Sequence, residues 1–230
     1  MLPSVDQIIQ NIESKKIDQM AAIRRKTNDL LVVLNLLDLA AGAEDPFQYT
    51  KLLFFVDHAA YSQKTFGLNA SFFVYTHGAY SKELDQMHHA LWSAGALHSD
   101  ADRFAALTAD GARHLATAND ITGFRDSAQY RILQEVVANH AGRSGQELLQ
   151  QHLATVVKGD TIAAHKTARR FNTELYSGTD FAGFPSCIDD LDDAKVLRAF
   201  DALAFPETFG REHELEYTET REVAHPADLL

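Results

Sequence analysis

The sequence predicts a mainly α fold of the α+β type, with a winged-helix-like domain, a small β-hairpin and a helical C-terminal extension. Apolar residues recur at helical spacing through much of the chain, whereas residues 70–75 are rich in aromatic and β-branched side chains, which favours a strand. Polar segments that contain glycine separate these stretches and indicate turns. Helices interrupted by a few short strands are therefore the expected architecture.

Residues 1–45 are predicted to form N-terminal helices that pack on the core. Their second half, residues 30–37, is apolar on more than one face, which is typical of a buried helix. The basic run at residues 24–26 is interpreted as a solvated turn or a helix end, because a short charge run is weak evidence for a phosphate site. Gly42 is expected to end this region, and a new helix is expected to begin near residues 45–46.

Residues 46–120 are predicted to form the winged-helix-like domain. It begins with an apolar helix at about residues 47–62, followed by the strand at 70–75 and a tight turn that ends at Ser81. Gly78 gives this turn the backbone freedom that it needs, because glycine has no Cβ.

A second amphipathic helix is expected at residues 82–94, within the same domain. Ser81 can cap its first turn by accepting a backbone hydrogen bond, and Gly95 suits the left-handed position beyond its end. Short strands on either side of the polar stretch 98–103 are predicted to pair as a hairpin. Thr108 is then expected to cap the next helix.

Residues 121–210 are predicted to form a helical extension, and residues 211–230 an acidic tail that we expect to be mobile. Three helical segments are indicated within the extension: residues 126–153 with a break at 140–145, residues 160–175 and residues 189–205. No internal repeat is visible along the chain.

The acidic charge is concentrated in the C-terminal fifth of the chain. The formal net charge is −11 over 230 residues, and residues 180–230 account for −9 of it, whereas residues 1–179 carry −2. A strongly negative surface opposes non-specific binding to phosphate backbones, which depends on lysine and arginine. Because the body of the protein is nearly neutral, DNA binding is disfavoured but stays open as an alternative.

Composition also bounds the class of protein. Hydrophobic residues make up 46% of the chain, which is typical of a globular protein, and no apolar run approaches the ~18 residues of a membrane span. The N-terminus lacks the basic start and the continuous apolar stretch of a secretion signal. Cys187 is the single cysteine, so no intramolecular disulfide is possible. A cytoplasmic protein that does not contact a membrane is therefore expected.

No motif in the sequence carries recognisable catalytic chemistry. None of GxSxG, HExxH, a CxxC pair or the spacing of a phosphate-binding loop occurs. Cys187 lies between Pro185 and Asp189, where neighbouring carboxylates would disfavour a thiolate. The eleven histidines are interpreted as core or surface residues rather than metal ligands. We therefore expect a protein that is not an enzyme and that binds no cofactor or metal.

One segment, from Lys51 to Thr108, carries a series of motifs in a fixed order. A Lys-Leu-Leu-Phe-Phe helix is followed by a strand, by the turn Tyr-Thr-His-Gly-Ala-Tyr-Ser, by a helix that ends before Gly-Ala-Leu, and by Leu-Thr-Ala-Asp-Gly. This order resembles two bacterial groups: the YwgA-like family of winged-helix proteins and the SocA-like, phage-associated family that includes the Panacea antitoxin domain. The resemblance covers about a quarter to a third of the chain.

The resemblance implies a regulatory, non-catalytic protein that acts by protein–protein interaction. Panacea-type proteins neutralise toxins by direct contact and SocA-like adaptors hold a toxin for proteolysis, so the implied partner is a toxin or a protease-system component. The expected contact residues lie in the turn and on the outward face of the following helix: Tyr75, His77, Gly78, Tyr80, Ser81, Lys82, Gln86 and His89. Tyr80 is the strongest candidate, because a half-exposed tyrosine is a common interface anchor. The alternative is a winged-helix transcription regulator that places this helix in the major groove of DNA.

Overall fold

The computed structural model describes residues 5–168 and 173–203. Within them the helices are α1 (Val5–Leu39), α2 (Pro46–Ser62), α3 (Lys82–Ser93), α4 (Ala109–Thr122), α5 (Ala128–His140), α6 (Gly145–Ala154), α7 (Ile162–Thr167) and α8 (Asp193–Leu203). The strands are β1 (Phe72–Tyr75), β2 (Gly78–Tyr80), β3 (Leu97–His98), β4 (Ala106–Leu107), β5 (Val156–Val157), β6 (Asp160–Thr161) and β7 (Glu174–Tyr176). The mainly helical α+β class predicted from the sequence is confirmed.

The first helix, α1, is continuous over 35 residues, so the predicted turn or helix end at residues 24–26 is wrong. No glycine or proline interrupts this stretch, and arginine and lysine are good helix formers, so the basic run continues the helix. The Arg24 guanidinium donates to the backbone oxygens of Ile188 and Leu191, both at 2.8 Å. It also pairs with the Asp193 carboxylate at 2.7 Å. These contacts attach α1 to the segment that leads into α8.

One hydrophobic core connects the helices of the described chain. The C-terminal half of α1 and the middle of α2 supply its centre, where Leu34 and Phe54 are completely buried. Helix α1 packs against α4, α5 and α8, and α2 packs against α5 and α6. The core therefore crosses residues 45 and 120, and the division into an N-terminal, a winged-helix-like and a C-terminal unit stays a prediction.

The segment predicted as a tight turn after the first strand is itself part of a sheet. Strands β1 and β2 form an antiparallel hairpin in which Tyr75 pairs with Gly78, and β7 pairs with the other side of β1. The strand order β2-β1-β7 makes β2 an edge strand. A sheet edge exposes backbone donors and acceptors that need other partners. The partners of β2 define the candidate site described below.

The predicted helix at residues 160–175 is correct only for its first half. Helix α7 ends at Thr167, and the chain returns to pair with β1 as strand β7. Leu175 and Tyr176 of that strand are buried in the core. Tertiary pairing with a strand about 100 residues away overrides the local apolar spacing, which is the usual limit of such predictions.

The hairpin predicted after the second amphipathic helix is present as β3 and β4. Leu97 lies opposite Leu107, and a β-bridge between Ala43 and Ala105 adds the residues before α2 to the hairpin. The hairpin therefore follows α3 in the order that the sequence predicts for a winged helix.

The predicted helix caps are also confirmed. The Ser81 hydroxyl accepts a hydrogen bond from the Leu84 N–H, and the Thr108 hydroxyl accepts one from the Gly111 N–H at 2.9 Å. Gly95 follows α3 with a φ of +73°, the left-handed conformation that suits glycine. These local signals fix where α3 and α4 begin and where α3 ends.

The C-terminal part agrees with the remaining predictions as far as the structure describes it. Helices α5 and α6 are separated at the predicted break, and Ser144 and Glu147 form a reciprocal capping box at the start of α6. Helix α8 lies within the predicted segment 189–205. The predicted acidic tail, residues 211–230, lies outside the described residues. None of the described helices combines the length and the apolar composition that a membrane span requires.

An unusual feature of the core is the carboxyl group of Asp57 on α2. The side chain is completely buried, its Oδ1 accepts the Leu68 N–H at 2.7 Å, and its Oδ2 has no hydrogen-bond partner among the described residues. Burial raises the pKa of Asp57 well above its usual value, and the nearby Asp29 and Asp180 carboxylates add to this effect. The carboxyl group of Asp57 therefore stays protonated in the folded protein at pH values where it is already ionised in the unfolded chain.

We expect the contribution of Asp57 to the free energy of unfolding to fall as pH rises above the ordinary aspartate range, because the unfolded chain then ionises Asp57 while the folded chain keeps it protonated. One such proton contributes up to about 1.4 kcal/mol per pH unit. The substitution Asp57→Asn should remove this contribution. The free energy of unfolding of the variant, measured with urea and compared with that of the wild type, should therefore increase between pH 5 and pH 8. The exposed Asp120→Asn is the control. Parallel pH profiles for wild type and Asp57→Asn would contradict the assignment.

Candidate functional site

A cleft of about 480 Å³ lies between the start of α2 and the β1–β2 hairpin, and we call it the hairpin cleft. Its lining residues come from three elements: Pro46, Phe47, Thr50 and Lys51 from α2, Tyr75 and His77 to Tyr80 from the hairpin, and Asp85 from α3. The cleft brings together half of the contact residues expected from the sequence: Tyr75, His77, Gly78 and Tyr80.

A larger groove of about 720 Å³ lies between α1 and the loops that follow β7. Several of its polar groups already have partners: Arg24 donates to backbone oxygens, and the Ser177 hydroxyl donates to the Glu174 carboxylate at 3.0 Å. The Asn69 amide donates to the Asp29 carboxylate at 3.0 Å. These contacts explain the groove as part of the attachment of α1, so the hairpin cleft is the better candidate site.

The wall of the cleft on α2 is set by the way that helix begins. Asp45 caps the helix by accepting the Gln48 N–H at 2.6 Å, and Pro46 occupies the first turn, where its missing N–H costs nothing. Phe47 and Lys51 are four residues apart and therefore lie on one face. The Lys51 Nζ lies 4.7 Å from the centroid of the Phe47 ring, a cation–π geometry for the ammonium form.

The opposite wall is aromatic. Alternation along β1 buries Val74 in the core and leaves Tyr75 outward, with 47% of its surface exposed. Tyr75 and Tyr80 are diagonal neighbours across the hairpin, and their ring centroids are 5.6 Å apart. The Tyr80 hydroxyl donates to Asp85 Oδ2 at 2.7 Å, which ties the hairpin to α3. The pair presents a preformed aromatic surface at the mouth of the cleft.

The edge of β2 is closed by two side chains that both bond to Ala79. The Ala79 N–H donates to His152 Nε2 at 2.8 Å, and the Ala79 carbonyl accepts from Lys51 Nζ at 2.7 Å. Both backbone groups of the central β2 residue are therefore satisfied from α6 and α2. The edge is unavailable for the addition of a strand from a partner.

His152 is held as a neutral imidazole. It is completely buried, and it can accept the Ala79 N–H only if Nε2 carries no proton. Burial lowers its pKa to about 2, and the positive charges of Lys51 and Lys166 contribute in the same direction. Gly78 is adapted to this residue, because a Cβ there would lie 2.4 Å from His152 Nε2 and the backbone φ is +99°.

Lys51 is a cation of the cleft whose pKa is strongly lowered. Its side chain is buried, with 3% of the residue surface exposed, and burial lowers its pKa to about 7, assisted by the charge of Lys166. Within the described chain, no carboxylate lies within 4.0 Å of its Nζ. A buried amine that lines a cleft and has a pKa near neutrality is a candidate functional group.

The remaining contact residues expected from the sequence are not all at the surface. Ser81 is completely buried as the cap of α3, so its contribution is to position that helix. Lys82, Gln86 and His89 are exposed on the outward face of α3, outside the cleft. The His89 ring stacks beside Trp92 with 6.4 Å between centroids, and Trp92 is 51% exposed.

The site residues predicted from the sequence do not include Phe47, Lys51, Trp92 or His152. Lys51 directly precedes the apolar run of residues 52–56, and a charged residue beside such a run indicates a charge that needs a partner. No comparable signal marks His152, because it meets Ala79 across 73 residues of sequence.

The described residues show no assembled catalytic or metal centre. No group of three or more His, Cys, Asp or Glu side chains among them is arranged to hold a metal ion. Burial raises the pKa of the Cys187 thiol to about 12, with Asp189 adding to the shift, which agrees with the expectation of an unreactive thiol. The hairpin cleft offers an aromatic wall, a hydroxyl–carboxylate pair and a buried amine.

We expect Gly78→Ala to destabilise the fold by about 2–4 kcal/mol, because the added Cβ is strained at positive φ and collides with His152. The matched control is Gly95→Ala, which also has a positive φ but no atom within 4 Å of the added Cβ, and should cost about 1 kcal/mol. Urea unfolding measures both. Equal losses would mean that the contact with His152 does not constrain residue 78.

Comparison of the chain with protein-family models, with curated proteins and with solved structures found no match. The case for a function therefore depends on the geometry and the chemistry of the hairpin cleft and of the neighbouring face of α3.

Proposed function

We propose that this protein is a non-catalytic regulatory protein that binds a protein partner through the hairpin cleft and the outward face of α3. The role is of the antitoxin or proteolytic-adaptor type that the sequence resemblance implies, with a toxin or a protease-system component as the partner. The observation that carries the proposal is the aromatic pair Tyr75 and Tyr80 at the mouth of an apolar cleft.

The geometry of this pair supports an interface. Tyrosine combines a large apolar ring with a hydroxyl, and interface hot spots are enriched in such residues beside well-formed pockets. The Tyr80 ring is fixed by its hydrogen bond to Asp85 and by its contact with Tyr75, so little side-chain entropy remains to be lost on binding. The cleft beside the pair can accept an apolar anchor from the partner.

The outward face of α3 extends this surface. Trp92 is more than half exposed and stacks with His89, which gives a second aromatic patch on the helix that follows the hairpin. Lys82 and Gln86 are exposed on the same helix and can supply polar contacts around it. An aromatic centre with polar surroundings is the usual composition of a protein interface.

A winged-helix DNA-binding regulator is the second candidate. It is favoured by the exposed polar residues of α3 and by the hairpin that follows α3. It is opposed by local charge, because α3 also carries Glu83 and Asp85, and the tip of the hairpin carries Asp100 and Asp102. Arg103, the basic residue next to the tip, lies 3.6 Å from the Glu44 carboxylate. DNA-binding helices and wings need positive charge near phosphates.

Capture of tagged full-length protein from its native host, with and without nuclease, separates the two candidates. We expect a stoichiometric protein partner that survives nuclease treatment. Recovery of a specific duplex that binds with a steep salt dependence, and no protein partner, would contradict the proposal and favour the DNA-binding regulator.

Tyr80→Ala should weaken the captured complex by about 10- to 30-fold, because it removes an aromatic anchor together with its hydrogen bond to Asp85. The control is Tyr61→Ala, a more exposed tyrosine on α2 that does not line the cleft. Calorimetry with the purified partner measures both variants, and circular dichroism checks their folding. Wild-type affinity in Tyr80→Ala would show that the partner binds elsewhere.

A further inference from the structure

We propose that the hairpin cleft binds an organic carboxylate, with its carboxylate group on the Lys51 ammonium and its apolar part against Phe47, Tyr75 and Tyr80. The inference rests on the same cleft as the proposed function and names the chemical group that the cleft recognises.

The Lys51 ammonium is incompletely hydrogen-bonded. An ammonium has three N–H donors, and Lys51 uses one of them on the Ala79 carbonyl at 2.7 Å. No other hydrogen-bond acceptor and no carboxylate meets its Nζ among the described residues. Burying a charge without a counterion is costly, so an anion that reaches Nζ gains both the ion pair and the unused donors.

The electrostatic field around the Lys51 amine is positive. Lys166 on α7 contributes further positive charge, and His152 on α6 is neutral and therefore adds no compensating negative charge. The amine has no carboxylate partner among the described residues, and both this lack and the positive field attract an anion to the inner end of the cleft. The low dielectric of a buried site strengthens that attraction relative to a surface lysine.

The lining of the cleft favours an anion with a single negative charge. Among the described residues, Asp85 is the one carboxylate that lines the cleft, and its position beside Tyr80 disfavours a multiply charged group such as phosphate. The other walls are mainly apolar and aromatic, with Pro46 and Phe47 facing the tyrosine pair. A single carboxylate on an apolar or aromatic skeleton fits both constraints.

Two sources carry this chemistry: a small aryl-alkanoic acid, and the carboxyl-terminal residue of a protein chain that ends in an aromatic side chain. Two matched pairs of probes distinguish them. The first pair is phenylacetate and neutral phenylacetamide. The second is an acetylated tetrapeptide that ends in phenylalanine, prepared as the free acid and as the carboxyl-terminal amide.

Calorimetric titration of the full-length protein should show at least tenfold tighter binding of an acid than of its amide. Tighter binding of the peptide acid than of phenylacetate would identify a protein terminus as the source, and the reverse order would identify a small acid. Equal binding of acids and amides, or no binding of either acid, would overturn the proposal.

Lys51→Met should abolish the preference for the acid, because methionine keeps an unbranched side chain but removes the amine. The matched control is Lys64→Met, which removes another lysine that lies over an aromatic ring, 5.0 Å from the Tyr61 centroid and outside the cleft. Retention of the preference in Lys51→Met would overturn the proposal. Circular dichroism verifies that each variant is folded.

The wild-type protein gives a second readout that does not depend on a variant. Because an anion binds the protonated amine, affinity should be highest below pH 7 and fall by up to tenfold per pH unit above it, with proton uptake on binding near pH 8. His77 also lines the cleft, so loss of this pH dependence in Lys51→Met would assign it to Lys51 rather than to His77. A flat profile would overturn the assignment.

The two proposals fail separately. If Lys51→Met and both acids show no effect while Tyr80→Ala still weakens the captured complex, the carboxylate site is wrong and the protein–protein interface stands. If an acid binds through Lys51 but no protein partner is captured, the carboxylate site stands and the proposed function is wrong.

Discussion

The hydrogen bonds to the backbone of Ala79 are the constraint on which the candidate site depends. His152 and Lys51 approach this residue from two helices and satisfy its N–H and its carbonyl. The hairpin is therefore fixed against α2 and α6 at its outer edge, where a strand would otherwise be open to pairing with another chain. The position of the hairpin in turn sets the width of the cleft, and it holds Tyr80 within hydrogen-bond distance of Asp85 on α3.

This arrangement has an energetic cost that packing alone does not explain. The buried His152 Nδ1 has no hydrogen-bond partner in the part of the chain that the structure describes, and Lys51 places an amine in the same low-dielectric region. Apolar residues of similar size on α2 and α6 would avoid both penalties, because a core without unpaired polar groups is usually the more stable one. Proteins often retain such destabilising groups where they serve binding, which is the reading that the cleft supports here.

The outward face of α3 and the cleft, which Asp85 of α3 helps to line, make up a candidate surface of mixed character. Aromatic groups lie at Tyr75, Tyr80 and Trp92, whereas the charges of α3 are mostly negative. Such a surface is suited to a protein partner, since phosphate groups would meet carboxylates on the helix and on the following hairpin. The hairpin follows α3 in the order predicted for a winged helix, and the carboxylates on both elements oppose the binding of phosphate groups.

Local signals in the sequence determined most of the helices. Interactions between residues close together in the chain fix the caps at Ser81 and Thr108 and the break between α5 and α6. At each cap a hydroxyl accepts the N–H of the residue three positions later, and at the break the segment prefers a turn. Apolar residues likewise predicted the burial of residues 30–37 of α1, which the structure shows. The basic run at residues 24–26 misled because charge indicates exposure and does not by itself end a helix.

The sequence also located the aromatic turn that became one wall of the site, because tyrosines around a glycine are visible as a local pattern. Only the tertiary structure decided that this segment is an edge strand, that β7 completes its sheet, and that α2 forms the opposite wall. The same holds for the environments of Lys51 and His152. A pKa depends on burial and on neighbouring charges, and those are brought together by contacts between residues that are far apart in the chain.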